Sequence, residues 1–311
     1  MNFITAVGIF LGAALLSALV VLASIHIAHR LNFLDAPDSE RKSQSYPIPK
    51  LGGVAVAFAF SLIVLVIIFA TSQEGELLLA AGVLLPALGL AAVGFFDDKA
   101  NLNPYLRLFF QASFALVAWL LGTQFELTGV PVLDAALFVA WVMVIVNGVN
   151  LLDNSDGLAA STVLVSAIGG AVIAVLFNQQ LVSLLAIALA GVAAGFLFHN
   201  WFPARVYMGD SGAYFLGFLL AVLAVRIRPE GASYWAGIAI ALLLVALPVI
   251  DTFYVVSKRV LNGIHPFTAG RDHLSHLLQG NGKTVPGSVL WLQGISVAGA
   301  SGAVLIALVS R

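Results

Sequence analysis

LDAALFVAWVMVIVNGVNLLDNSDGLAASTVLVSAIGGAVIAVLF, residues 133–177, places a polar island between two long apolar runs. Each run, 133–149 and 158–177, approaches the roughly 20 residues a helix needs to cross hydrocarbon. The island, Asn147–Ser161, gathers Asn147, Asn150, Asp153, Asp156 and Gly157. In a chain with 9% charged residues, that concentration reads as a site and not as scaffolding.

The same alternation continues in both directions. The 311 residues are 61% hydrophobic, with a mean hydropathy of +1.04. An ordinary soluble domain carries about a quarter charged residues. Apolar runs recur at 3–28, 51–71, 77–96, 106–122, 133–149, 158–177, 181–199, 212–226, 235–256 and 286–309. This predicts an all-α polytopic membrane protein of about ten spans, with residues 1–311 forming one integral membrane domain. The fifth and eighth runs are short, so tilt or partial burial is expected there. The first basic residue is Arg30, so the apolar start lacks a signal peptide's basic region and is expected to remain as the first anchor.

The ends of odd-numbered spans hold Arg30, Arg41, Lys42, Lys50, Lys99, Arg107, Arg205, Lys258, Arg259, Arg271 and Lys283; the other side holds Arg226, Arg228 and Arg311. The positive-inside rule makes the first set cytoplasmic and turns both termini outward. Asp97, Asp98, Asp153, Asp156, Asp210, His265, Asp272, His273 and His276 then share the cytoplasmic face. A net charge of −1 argues against a nucleic-acid partner, and the lack of cysteine excludes thiolate metal sites and nucleophiles.

Five inner loops carry the chemistry. In the first, Arg41, Lys42 and Lys50 fit either a phosphate or anionic lipid headgroups. Gly52-Gly53 permits close backbone approach. In the second, adjacent Asp97 and Asp98 need a cation to stay ionised, or one of them is raised into the range of a base. In the third, the spacing by three stacks Asn147, Asn150, Asp153 and Asp156 on one helix face, with Gly157 allowing a break. Such oxygen donors suit Mg²⁺ or Mn²⁺, and a polar helix-packing face is the alternative. In the fourth, Asp210 opens a helix between Gly209 and Gly212, as an N-cap or beside bound phosphate. Tyr207 and Trp201 fit either a stacked base or the interfacial aromatic belt. In the fifth, Arg271, His273 and His276 are placed as on a short amphipathic helix, better suited to clamping phosphate than to holding zinc.

Taken in order, RK before PIPKLGG, FFDD with RLFFQ, NGVNLLDNSDGLAAS, YMGDSG and GRDHLSH resemble the polyprenyl-phosphate N-acetylhexosamine-1-phosphate transferase family. The resemblance spans residues 35–278 and implies transfer of a sugar 1-phosphate from a UDP-amino sugar to undecaprenyl phosphate, with release of UMP. It implies Asp210 as the principal Mg²⁺ ligand, with Asn150 and Asp153 beside it, and Asp156 and Tyr207 on the uracil. Asp97 and Asp98 match the pair that binds or deprotonates the lipid phosphate. Arg271 and His273 match the loop on the diphosphate and sugar, with His276 and Lys42 as further phosphate or sugar contacts. It also implies a bacterial inner-membrane location, contact with membrane lipid and a common homodimer.

Two positions depart from the family pattern. Ser275 replaces the middle His of a His-x-His-His run, and Gln44 stands where a His often follows the RK pair. The GRDHLSH form favours a UDP-N-acetylhexosamine such as UDP-GlcNAc over the phospho-MurNAc-pentapeptide branch. From another class, an ion-coupled transporter would also use intramembrane acids. It would place them near the midplane and show repeated halves, and neither is evident.

Overall fold

The computed structural model describes residues 3–37, 46–71, 74–124, 126–229, 231–268 and 270–310. Arg41, Lys42 and Gln44 lie outside them. The chain runs α1 (Phe3–Arg30), β1 (Leu34–Asp35), β2 (Ile48–Pro49), α2 (Gly52–Thr71), α3 (Glu74–Ala100), α4 (Pro104–Leu120) and α5 (Pro131–Leu152). It continues through α6 (Leu158–Leu176), α7 (Gln180–Asn200), α8 (Gly209–Arg226), α9 (Tyr234–Leu244), α10 (Ala246–Leu261), α11 (Leu274–Gly280) and α12 (Val285–Val309). The two short strands pair antiparallel, Leu34 with Pro49 and Asp35 with Ile48.

Each expected span falls on a helix, and among the described residues eight helices are long and apolar enough to cross a membrane. The expected ninth span is divided: α9 and α10 meet at Val245 with a bend of 73°. Of the two spans expected to be short, the eighth is, with 18 residues and 89% of its window buried, while the fifth is not. The fifth span has 22 residues because the helix continues through Asn147 and Asn150 to Leu152. The fourth has 17, started by Pro104 and the Asn103 cap, whose side chain accepts from Tyr105 N at 2.9 Å. Proline at the first helical position sacrifices no helical hydrogen bond, so this start is fixed by sequence.

Helix α8 is the axis of the bundle, with 89% of its spanning window buried; α6 and α7 follow at 72%, while α1 reaches only 17%. Small residues allow this closeness, since lipid-embedded helices associate through tight packing. A Cβ at Gly195 would lie 2.2 Å from Ala14 O, and one at Gly191 2.5 Å from Phe10 O, which brings α1 against α7. Ser17 Oγ donates to Val192 O at 2.8 Å across the same contact.

Candidate active site

The start of α8 is where three chain segments converge. A Cβ at Gly53 would fall 2.1 Å from Gly212 N, and one at Gly94 would fall 2.4 Å from Asp210 O. Gly52 N and Gly53 N donate to Tyr207 O and Met208 O, while Tyr207 N donates to Pro49 O at 2.8 Å. The first inner loop is thereby laced to the segment that delivers Asp210.

The adjacent acids Asp97 and Asp98 sit in the last turn of α3, which runs to Ala100 and so beyond its expected end. Their side chains serve different partners. Asp98 accepts from Asp210 N at 3.1 Å and Ser211 N at 3.4 Å, satisfying amides that a helix start leaves unpaired. Lys50 Nζ lies 2.8 Å from the same carboxylate. Asp97 accepts from Tyr214 OH at 2.8 Å, Leu102 N at 2.9 Å and Arg107 Nη1 at 3.1 Å. Protein cations thus stand beside both acids, and Asp98 supports α8 from behind.

In front of this support lies a cleft of about 810 Å³. Asn150, Asp153, Asp156, Tyr207 and Asp210 line one part, and Arg271, His273 and His276 line another. Asp97 and Asp98 are not on its wall; Lys50 is, and it supplies the first loop's cation to the cleft. Asn150 Nδ2 donates to Asp210 Oδ1 at 2.6 Å. Asp153 caps the C-terminus of α5, and the chain turns at Gly157 with φ +77°, so Asp153 and Asp156 leave the helix face expected for them. Burial holds Asp153 well above the usual carboxylate range, reinforced by the charges of Asp210, Asp98 and Asp156 and opposed by Lys50.

Asp156 accepts from Ala204 N at 2.9 Å, while burial raises its carboxyl. Burial, then Asp156, pushes the Tyr207 phenol up and keeps it neutral. Asn200, which sequence reasoning passed over, joins the two loops: it accepts from Gly157 N at 3.0 Å and donates to Val206 O at 2.9 Å. Trp201 packs against Gly157, where a Cβ would lie 3.0 Å from its ring, and only Tyr207 of the two aromatics faces the cleft.

Arg271 and His273 precede α11, and His276 lies on it, which corrects the single amphipathic helix expected. Arg259 grips Asp272 with two bonds of 2.7 Å and donates to Pro266 O at 2.6 Å, fixing the loop before α11. His273 Nδ1 lies 3.0 Å from Asp251 Oδ2. Ser275 is fully buried and donates to Asn154 Oδ1, so this departure from the family pattern faces the 153–157 turn and not the cleft. Asp251 and Arg259 were also missed, although an acid inside an apolar span is a recognisable functional signal.

His276 is pushed down to about 4, by burial first and then by His273 and Arg271. Between that value and its ordinary 6.5 the unfolded chain binds more protons, so stability is fully present above 6.5 and declines as pH falls toward 4. The melting temperature in detergent should therefore fall more steeply from pH 7 to pH 5 in the natural protein than in His276→Gln. Equal slopes would remove His276 as a cause.

Among the described residues no group of three His, Asp or Glu is arranged to hold a metal ion unaided. Asp210 and Asp153 offer a smaller set of carboxylate oxygens, with Asn150 beside them through its amide bond to Asp210. That suits Mg²⁺, which takes one or two carboxylates and completes its shell with water and substrate phosphate. Burial raises Asp153 first, and the repulsion from Asp210 that adds to it is what a divalent cation would relieve.

A helical bundle of membrane-spanning length, with a cleft of carboxylate, amide and cationic side chains among its helix ends, defines a multi-pass membrane protein. Residues 80–228, from α3 to α8, match the pattern of glycosyl transferase family 4. The chain is 30% identical over 328 residues to the phospho-N-acetylmuramoyl-pentapeptide-transferase of Desulforudis audaxviator, covering 92% of this chain and 94% of that one. It is 27% identical over 287 residues to the Bacillus subtilis protein named "Probable undecaprenyl-phosphate N-acetylglucosaminyl 1-phosphate transferase", covering 89% and 78%. To the decaprenyl-phosphate N-acetylglucosaminephosphotransferase of Mycolicibacterium smegmatis it is 28% identical over 275 residues, covering 77% and 67%. The chain belongs to glycosyl transferase family 4 and is a membrane transferase.

Proposed function

We propose that this protein transfers an N-acetylhexosamine 1-phosphate from a UDP-amino sugar to undecaprenyl phosphate at the cytoplasmic face of a bacterial inner membrane. One observation carries the reading. Val144 lines both the polar cleft and an apolar groove of about 490 Å³ between α5, α9 and α10. A diphosphate nucleotide and a long lipid can thus approach one centre from opposite chemical environments.

In this reading an oxygen of the lipid phosphate forms a bond to the β-phosphorus of the donor. The bond from that phosphorus to the bridging oxygen breaks, and UMP leaves with the oxygen. Such transfers depend on positioning and charge neutralisation more than on covalent help. Bound Mg²⁺, or Mn²⁺ in its place, would neutralise diphosphate charge, held by Asp210, Asn150 and Asp153. Asp156 and Tyr207 orient the uracil, and Arg271 and His273 take the diphosphate and sugar from the α11 side, with His276 beside them. Asp98, paired with Lys50, steadies the helix that carries Asp210. The positive-inside distribution supports a cytoplasmic cleft and outward termini, and the family resemblance supports a homodimer.

Purified protein with undecaprenyl phosphate, Mg²⁺ and a panel of UDP-amino sugars, UDP-MurNAc-pentapeptide among them, should release UMP with at least one donor. Release should cease when EDTA removes the cation. No UMP with any donor would overturn the proposal. Val144→Trp fills the junction of cleft and groove, so it should raise KM for undecaprenyl phosphate about tenfold, as a loss near 1.4 kcal/mol of binding would, while KM for the UDP-sugar stays unchanged. Equal effects on both constants would place the lipid elsewhere.

A further inference from the structure

Asp251 is a buried acid with no task in the reaction described above. It sits on α10, 1% exposed, near the buried apolar residues Leu247 and Val255. A carboxylate is held so deeply only where its oxygens are satisfied. Both are: Oδ1 accepts from Leu274 N at 2.9 Å, and Oδ2 lies 3.0 Å from His273 Nδ1. An ionised carboxylate is an acceptor only, so the imidazole hydrogen belongs on Nδ1. Nε2 is then the ring nitrogen left for a ligand in the cleft that His273 lines. The surrounding charged and titratable groups are Arg271, Asp272, Arg259 and His276, with Asp272 and Arg259 engaged with each other.

We propose that Asp251 is a positioning residue, holding His273 in the Nδ1–H tautomer so that Nε2 faces the donor's diphosphate, and seating the first turn of α11 through Leu274 N–H. The identity of that ligand rests on the proposed function; the tautomer does not. The same carboxylate links α10, whose Val249 and Phe253 line the apolar groove, to a histidine on the wall of the polar cleft. Asp251 itself lines neither cavity, so it acts through His273.

The test uses ¹⁵N-histidine-labelled full-length protein, with the His273 signals assigned by their loss in His273→Gln. The natural protein should show Nδ1 protonated, and Asp251→Asn should shift the population toward the Nε2–H form. Asp251→Glu, which keeps a carboxylate, should retain most of the Nδ1–H form. In the UMP assay Asp251→Asn should lower kcat about 10- to 100-fold, by analogy with the loss of a carboxylate partner from a metal-bound imidazole. In the His273→Gln background the same change should add less than about twofold, because coupled residues are not additive. An Nε2–H tautomer in the natural protein, or an undiminished loss in the double variant, would overturn the proposal. Should Asp251→Asn fail to fold, the tautomer of the natural protein alone decides. Should the natural protein release no UMP, the functional reading falls and the tautomer still tests Asp251.

Discussion

Asp210→Asn is expected to reduce UMP release by roughly 10³-fold or more, the scale of losing a principal electrostatic contact in phosphoryl transfer. The substitution keeps the shape of the side chain. Its remaining oxygen can still accept from Asn150 Nδ2, and its backbone N–H can still donate to Asp98. The start of α8 should therefore hold, and the melting temperature in detergent should stay near that of the natural protein. What is lost is one negative charge in the oxygen set beside Asp153. Near-normal turnover in the variant would show that the ion is held elsewhere.

Gly94→Ala should damage stability and turnover together. A Cβ there would stand 2.4 Å from both Asp210 C and Asp210 O and 2.6 Å from Ser211 Cα. All three are backbone or Cα atoms, which cannot swing aside as a flexible side-chain end does. Overpacking of this kind costs about 1–3 kcal/mol. The segment that must yield is the one that presents Asp210, and a displacement on the order of 1 Å at such a site costs about 100-fold in rate. Gly294→Ala in α12 is the control, since a Cβ there meets nothing within 4 Å. Unchanged melting and activity in Gly94→Ala would mean that α3 and α8 are less closely packed than described.

The spans were legible because hydrocarbon imposes one demand, a continuous apolar run, which eight of the described helices meet and the bent α9–α10 pair meets jointly. The break at Val245 was not legible. Residues 234–250 stay apolar across it, so hydropathy does not mark a bend, and the one local signal is Pro248, three residues beyond the break. The site divides in the same way. Asn150, Asp153, Asp156, Tyr207, Asp210, Arg271, His273 and His276 stand out as polar groups in an apolar chain, and the structure brings all eight to one cleft. Asp97 and Asp98 stand out equally, and they sit just behind its wall, paired with Arg107 and Lys50, which line it. Asp251 and Asn200 were overlooked because each supports another residue, and the need for a support appears only when the supported group has a place.

The burial of α8 has a mechanical consequence. A bilayer that thins or thickens acts on the helices it touches, tilting or straining those at the perimeter. Helix α1, with 17% of its window buried, is open to that stress, and α8, with 89%, is insulated from it. The carboxylate assigned to the cation therefore rides on the element least coupled to the elasticity of the membrane, while perimeter helices such as α1 take up variation in the host bilayer.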